Sequence, residues 1–550
     1  MKCLKTQSAK LITLFVTILF CLADLCAAQA QTASTSEELL RGFISPPDSA
    51  KPRVWWHWTG GTVTMDGITR DLEWMKRVGI VGAQAADIGS SMGGGQTIEN
   101  PIFFFTPEWF DAIKHAASES DRLGLEMSIF SSSGWSLTGG PWVKPEQAMK
   151  KLVWSTTEVQ GPMNFNNKLQ QPPSESGMLG SLRGTIPAPR SNAARGERGQ
   201  GGARAGMPGG RTGGTHGAAA GGRGAAQSFY ADNAVIAFRT PSDEESMEDL
   251  NPEVTSSGGE IDGEALMDDV FSTTANIGAG PDGNAWVQYE FAQPVKARAV
   301  TLVSSRGAIP FGAIEVSDDG TNFRSIVELP GAVQYRPGGL STYAFPETSA
   351  RFFRVRMIAG GPSSSTSIFQ SAPAPANSYS LAEFIVHTGA RVARWEEKAG
   401  FNFFYNYHVA PTPRVPAGSA IQPGEVVDLT SKMEKDGTLN WDVPPGKWTI
   451  LRIGYALTGS KNRAGTGAGL GLEVDKLNAK HVEAYFHGYM DPIKEHLGDL
   501  LGKSLLYMVM DSYEAGMQNW TDDMIEQFPK RRGYDPRPYL PVLTGRVVGS

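Results

Sequence analysis

One stretch near the end of the chain organises the sequence, and it reads Ser504-Leu-Leu-Tyr-Met-Val-Met-Asp-Ser-Tyr-Glu514. Its apolar run from Leu505 to Met510 has the length of a strand and no polar alternation. Such a run predicts a strand buried on both faces, as in a parallel sheet. Asp511 and Glu514 follow directly, at the position where α/β proteins build their sites. The competing interpretation is that these carboxylates cap a helix, which we expect to begin at 522–523 with Thr521 as its N-cap.

The first part of the chain alternates strand and helix patterns. Strands are expected at 54–58, 80–88 and 125–130, and helices at 66–78 and 106–124. The second helix has clear end signals, because Thr106 and Pro107 suit its start and Gly124 suits its end. Strands and helices in this order and at this spacing imply parallel βαβ units.

Two regions break this pattern. Residues 181–227 are dominated by Gly, Ala and Arg, and cannot bury enough apolar surface to fold, so we predict a disordered surface insertion. Residues 265–390 carry alternating segments such as Ala285–Phe291, and no long helix, which predicts a β-sandwich. The order of its motifs resembles the discoidin-like, galactose-binding-like modules of carbohydrate enzymes. The α/β pattern resumes after residue 470, so this β-rich region is expected to be an insertion.

Six segments follow from these patterns. We expect a signal peptide at 1–30, the first part of an α/β catalytic domain at 40–180, the insertion at 181–227, the β-sandwich at 228–390, a linker and β-rich segment at 391–470, and a continuation of the catalytic domain at 471–550.

Residues 1–30 have the features of a secretory signal peptide. Lys2, Lys5 and Lys10 supply the positive end, and Ala28–Ala30 has the form of a cleavage site. Lipoprotein processing at Cys26 is less consistent with the sequence than cleavage after Ala30, because the residue before Cys26 is bulky. All three cysteines lie in this leader, so we expect the mature protein to have no disulfide and no thiolate metal site. We therefore expect an exported protein, periplasmic or extracellular, with no membrane span after cleavage.

The net charge of −7 gives no reason to expect nucleic acid or an anionic membrane as a partner. Gly469–Leu472 (GLGL) lacks the strand-and-helix framing of a phosphate-binding loop, which argues against nucleotide binding.

Carboxylates and aromatic residues collect at the predicted strand ends. Sugar hydroxyls need short hydrogen-bonding side chains, and the ring faces of sugars need flat apolar surfaces. Glycoside cleavage needs two carboxyl groups, for which Asp511 and Glu514 are the candidates. The candidate substrate-binding residues are Trp56, His57, Asp87, Trp135, Asn519 and Trp520. Core packing is the alternative for each tryptophan, and a structural hydrogen bond is the alternative for the histidine.

Glu473 and Asp475 are a second acidic pair, close to the start of a predicted helix. They suit a cation site, and they equally suit a helix N-terminus.

Several motifs together resemble the α-L-rhamnosidases of glycoside hydrolase family 106. They are Pro52–Gly61 (PRVWWHWTGG), Asp71–Ile80 (DLEWMKRVGI), Ser133–Val143 (SGWSLTGGPWV), Gly471–Lys476 (GLEVDK) and Asp511–Glu514 (DSYE). The resemblance implies a (β/α)8 catalytic barrel with β-sandwich modules, calcium dependence and an inverting mechanism, in proteins that bacteria export to degrade plant or algal polysaccharides.

We therefore expect an exported enzyme that cleaves terminal α-L-rhamnosyl residues, and the alternative is a non-catalytic carbohydrate-binding protein or an inactive fragment. Family members are usually longer, and only four or five barrel strands are recognisable, so we expect an incomplete barrel. Calcium takes oxygen ligands, and acids near the expected site supply them, Glu514 included. The sequence does not assign the metal ligands, or the acid and the base.

Overall fold

The computed structural model describes residues 36–89, 98–174, 183–184, 228–304, 309–331, 339–360, 377–403 and 410–549. The expected signal peptide and nearly all of the Gly/Ala/Arg-rich insertion lie outside these residues. The chain divides into two compact units. The first comprises the described residues up to Leu137, with Arg463–Gly469 and Tyr489–Ser512; the second comprises Thr138–Asn462, Leu470–Gly488 and Tyr513–Ser550.

The helices are α1 (36–44), α2 (Met65–Arg77), α3 (Pro107–Leu123), α4 (Met247–Leu250), α5 (Trp395–Lys398), α6 (Ala479–Leu497) and α7 (Met524–Arg532). The strands are β1 (Arg53–Thr59), β2 (Gly82–Ile88), β3 (Glu126–Phe130), β4 (Lys150–Lys168), β5 (Arg183–Gly184), β6 (Tyr230–Arg239), β7 (Glu253–Ser256), β8 (Ala275–Gly278), β9 (Ala285–Ser304), β10 (Phe311–Ser317), β11 (Arg324–Pro330), β12 (Leu340–Met357), β13 (Ser378–His387), β14 (Val427–Asp428), β15 (Thr438–Leu457) and β16 (Leu505–Val509). Among the described helices, none has an apolar stretch of the length needed to cross a bilayer.

The first unit contains a four-stranded parallel sheet in the order β1-β2-β3-β16. The helices between its first three strands confirm the predicted βαβ units. The Thr106 hydroxyl accepts a hydrogen bond from the amide of Trp109, and Gly124 ends α3 with a φ of 64°, in the left-handed region. The predicted start and end signals of this helix are therefore correct.

Strand β16 differs from its prediction. It was expected to be buried on both faces, but Leu506 is 39% exposed and Tyr507 is 54% exposed. Within the described residues β16 pairs with β3 alone, at the edge of the sheet. An apolar run specifies a strand, but only neighbouring elements can bury it, so the prediction of burial on both faces was wrong.

The second unit contains a five-stranded sheet in the order β14-β6-β15-β4-β5, in which the long strands β4 and β15 pair antiparallel over most of their length. This pairing differs from the expected boundaries. Strand β4 lies in the segment assigned to the catalytic domain (40–180), and β6 lies in the segment assigned to the sandwich (228–390). Both read locally as strands, and their sheet is set by pairing with β15, which the sequence does not reveal.

A seven-stranded sheet in the second unit runs β11-β10-β12-β9-β13-β8, with β7 also paired to β9. The predicted alternation is confirmed, because residues of Ala285–Phe291 alternate between buried and half-buried positions. Its strands share one apolar core, in which Tyr289 stacks on Phe384 with ring centroids 4.3 Å apart. The inserted β-rich region therefore has an apolar core, and it lies in the same compact unit as the five-stranded sheet.

The helix expected at 522–523 begins later, at Met524, with Asp523 as its N-cap residue. Thr521 does not cap it, because its hydroxyl donates to an oxygen of Asp475 at 2.7 Å. The predicted cap was therefore wrong: a buried carboxylate competes for the hydroxyl that the helix end would use.

Candidate functional site

The carboxyl ends of the four parallel strands in the first unit carry the predicted site residues of that unit. His57 lies in β1, Asp87 lies in β2, and Asp511 follows β16 by two residues. Because parallel strands present their carboxyl ends at one edge of a sheet, this edge is the candidate site of the first unit.

Strand β1 divides its aromatic residues between two faces. Trp55 is 55% exposed and His57 is exposed, whereas Trp56 is 7% exposed and donates its indole N–H to Asp71 at 2.9 Å. Alternate residues of a strand point to opposite faces, which explains the division. Trp56, which was predicted to bind substrate, is therefore a buried residue, and Trp55, which was not among the predicted residues, occupies the exposed face beside His57.

His57 and Trp135, which were both predicted to bind substrate, lie close together. Their ring centroids lie 4.9 Å apart in a T-shaped arrangement, and Trp55 lies 5.2 Å from Trp135. Partial burial lowers the pKa of His57 below its usual value. The three rings form an aromatic cluster, a surface that suits the apolar face of a sugar ring.

Asp87 is buried instead of lining an open surface. One carboxylate oxygen accepts hydrogen bonds from the hydroxyls of Ser133 and Thr466, the latter at 2.8 Å. Burial raises the pKa of Asp87 to about 6, and the two hydroxyl hydrogen bonds act in the opposite direction. The carboxylate therefore connects the end of β2 to the segments around 133 and 466.

The remaining predicted residues belong to the second unit. Asn519 accepts from the amide of Leu152 at 2.9 Å and donates to the carbonyl of Ala399 at 2.9 Å. Trp520 is 3% exposed and packs in an apolar core. Both were predicted to bind substrate, and in the structure their side chains contact other residues of the second unit. Their polar neighbours in the sequence gave no indication of these contacts. Glu514 is half-buried, as is Asp511 of the first unit.

A buried ion network in the second unit was not predicted. The ammonium of Lys150, which is fully buried, lies 3.4 Å from Asp475 and 3.0 Å from Asp522, and donates to the carbonyl of Glu146 at 2.8 Å. His481 lies 2.6 Å from the other oxygen of Asp522. The only sequence signal is the pair Lys150-Lys151 at the start of an apolar strand, where an unpaired lysine would be costly.

Asp475, His481 and Asp522 have the ligand types and the spacing of a metal site. They do not fit calcium, because Lys150 already supplies positive charge at this point. Both oxygens of Asp475 also accept hydrogen bonds, from Thr521, Leu477 and Gln518. Lys150 is a fourth donor to Asp475, so the acceptor sites of both carboxylate oxygens are occupied, whereas calcium needs about six to eight oxygen ligands.

Glu473 is buried beside this network but has different partners. One of its oxygens accepts from Thr138 at 2.5 Å and from Lys476 at 2.7 Å, and the other oxygen has no hydrogen-bond partner. Lys476 lies 5.2 Å above the ring of Tyr513. Helix α6 begins only at Ala479, so neither Glu473 nor Asp475 lies within it; both are held by ion pairs.

The chain matches the sequence profile of glycoside hydrolase family 106, described as alpha-L-rhamnosidase, over residues 44–198 and 210–550. The solved structure of a rhamnosidase from Novosphingobium sp. PP1Y is 33% identical in sequence and has a TM-score of 0.73, over 92% of this chain and 43% of that chain. A Formosa agariphila protein named "Putative beta-glucuronidase" is 25% identical over 513 residues, which are 93% of this chain and 27% of that protein. The chain thus spans less than half the length of either relative.

Proposed function

The chain belongs to the alpha-L-rhamnosidase family, glycoside hydrolase family 106, and from this premise we propose that its protein hydrolyses terminal α-L-rhamnosides. The observation that carries the proposal is the match to a solved rhamnosidase over 92% of this chain. We further propose that β1, β2, β3 and β16 are strands of a (β/α)8 barrel, whose carboxyl-end edge carries the site.

We propose Asp511 and Glu514 as catalytic residues. They lie within a few residues of the carboxyl end of β16, and each is half-buried, so each is accessible and partly desolvated. Inverting hydrolysis needs an acid and a base about 6.5–9.5 Å apart on opposite sides of the scissile bond. Because both residues come from one strand end, we assign them to one side of that bond and leave the opposite carboxylate unassigned. The cluster of Trp55, His57 and Trp135 is proposed to stack on the sugar.

The test is hydrolysis of p-nitrophenyl α-L-rhamnoside, with the aryl β-D-glucuronide and other aryl glycosides as comparisons. We expect Glu514→Gln or Asp511→Asn to lower kcat by about 10²–10⁴-fold, the range for loss of proton transfer. Glu526→Gln is the matched control, because Glu526 is an exposed carboxylate on α7. We expect this substitution to leave turnover unchanged.

Retained turnover in both carboxylate variants would remove these residues from the mechanism. Turnover of the glucuronide alone would replace the rhamnoside, in line with the name of the Formosa agariphila relative. Binding of rhamnose-containing glycans without turnover would favour a carbohydrate-binding protein. NMR detection of the first anomer released separates inversion from retention.

Export and calcium dependence are further parts of the proposal. Export is supported by the sequence of residues 1–30, and N-terminal sequencing of the mature protein tests it. Calcium dependence is supported by the family relationship alone. The Asp475 group does not fit the ion, so no step is derived through calcium. Unchanged turnover after exhaustive chelation would reject that dependence.

A further inference from the structure

A cleft in the second unit shares Lys476 and Thr521 with the buried polar groups described above, and its lining contains none of the proposed catalytic or substrate-binding residues. It has a volume of about 690 Å³ and is lined by the segment that leads into α6, by the first turn of that helix and by α7. This volume falls within the range of small-molecule sites, which is about 300–1,000 Å³.

The cleft is positively charged although the whole chain carries a net charge of −7. Its lining includes the cations Lys476, Lys480, Arg531 and Arg532, and the single acid Asp523. Lys476 is paired with Glu473. Within the described part of the chain, the other three cations have no carboxylate within ion-pair distance. Their charge is therefore available to a ligand.

Helix stability explains only part of this charge. Arg531 and Arg532 lie in the last turn of α7, where cations favour the helix dipole. Lys480 lies in the first turn of α6, which has no acidic residue, and a cation is unfavourable at that end. The dipole of α6 therefore does not account for the position of Lys480.

The walls of the cleft suit a sugar. Phe528 is half-buried and packs edge-on against Tyr534, with ring centroids 5.1 Å apart. Asn478 and Gln527 add short polar groups. Arginine binds carboxylate and sulfate groups with paired hydrogen bonds, and aromatic faces pack on sugar rings.

We propose that this cleft binds an anionic saccharide, one that carries carboxylate or sulfate groups. The choice of a saccharide among anions rests on the proposed glycosidase function; the choice of an anion rests on the charge of the cleft.

The test is calorimetric binding to the protein of a uronate oligosaccharide, a sulfated oligosaccharide and a neutral glucose oligosaccharide of equal length. We expect binding of an anionic saccharide that weakens as ionic strength rises, and no binding of the neutral one. The double variant Arg531→Gln/Arg532→Gln is expected to weaken binding by about tenfold or more, since two charge-assisted contacts are lost. The two anionic ligands separate carboxylate from sulfate recognition.

Lys530→Gln is the matched control. Lys530 is exposed and precedes Arg531 on α7, but does not line the cleft, so binding is expected to stay within about twofold. Equal binding of the neutral oligosaccharide, or no effect of the double variant, overturns the proposal. So does tighter binding of inorganic sulfate, single-stranded DNA or anionic vesicles. Rhamnoside turnover is measured in parallel, and because cleft variants are expected to retain it, failure of the cleft and failure of the proposed function are separable.

Discussion

Each unit contains an aspartate with a shifted pKa, and the two shifts have opposite directions. Asp87 accepts hydrogen bonds from two neutral hydroxyls, and burial raises its pKa to about 6. Burial also acts to raise the pKa of Asp522, but hydrogen bonds and charge from His481 and Lys150 outweigh it, and its pKa is lowered. Asp87 is only 7% exposed and its two neutral donors do not offset burial, whereas the side chain of Asp522 is 33% exposed and its hydrogen bonds from His481 and Lys150, together with their charge, outweigh burial.

The largest expected effect comes from removing the cation of the second unit. Lys150→Met leaves Asp475 and Asp522 near each other without their ammonium, which costs about 3–5 kcal/mol of unfolding free energy. Chemical denaturation measures this change. Lys447→Met is the control, because Lys447 is 43% exposed in its pair with Glu158 and its loss costs about 1 kcal/mol or less. A similar small cost for both variants would contradict the assignment of Lys150 as the charge that holds the network.

The next largest effect is the pH dependence of the unfolding free energy that Asp87 causes. Its folded pKa lies above the unfolded value of 3.8, so the folded state binds a proton more tightly, and stability falls as pH rises from about 4 to about 6. The difference in unfolding free energy between the native protein and Asp87→Asn is expected to fall by about 3 kcal/mol across this range. Denaturation at several pH values tests it, and a difference that is independent of pH would contradict the raised pKa.

A smaller effect is expected from one hydroxyl. Thr466→Val removes the donor at 2.8 Å, raises the pKa of Asp87 further, and costs about 1–2 kcal/mol more at pH 7 than at pH 4. Thr449→Val is the matched control, since Thr449 bonds a neutral hydroxyl of Thr240 at 2.7 Å and its cost is expected to be independent of pH. Equal pH dependence in both variants would mean that Thr466 does not act through the carboxylate.

The smallest effect is expected for Asp522, whose contribution to stability should change with pH in the opposite direction to that of Asp87. Because the folded pKa of Asp522 is lowered, its ionised form stabilises the protein above the unfolded pKa of 3.8, and this contribution disappears as pH falls through the lower folded value. Asp522→Asn should therefore be destabilising at pH 7 and nearly neutral in strong acid. If Asp522→Asn instead destabilises the protein more as the pH is lowered, the opposite pKa shifts of Asp522 and Asp87 are contradicted.

Local patterns predicted the βαβ elements of the first unit, because their signals lie within the elements. Thr106, Pro107 and Gly124 define α3 without reference to any other segment. The exposure of Tyr507 in β16 was not predictable in the same way, since it depends on which strands lie beside that strand. Sequence periodicity defines an element, but burial depends on its neighbours.

The candidate site was predicted less completely, for a related reason. Alternation in β1 separates Trp55 from Trp56, but does not say which face is buried. The sequence around Asn519 does not distinguish an asparagine that contacts a sugar from one that, as here, hydrogen-bonds two backbone groups. Lys150 gave almost no signal, because its partners lie hundreds of residues later in the chain.

The insertion between neighbouring strands of the first unit affects how the chain folds. Strand β3 ends at Phe130, and its partner β16 begins at Leu505, so the whole β-rich region is synthesised before they can pair. Contacts between segments so distant in sequence form slowly, since a long loop must close first. During synthesis on the ribosome, the edge of β3 that later pairs with β16 therefore stays unpaired while the inserted β-rich region folds. Slow folding of that region lengthens the time during which this strand edge is exposed to aggregation.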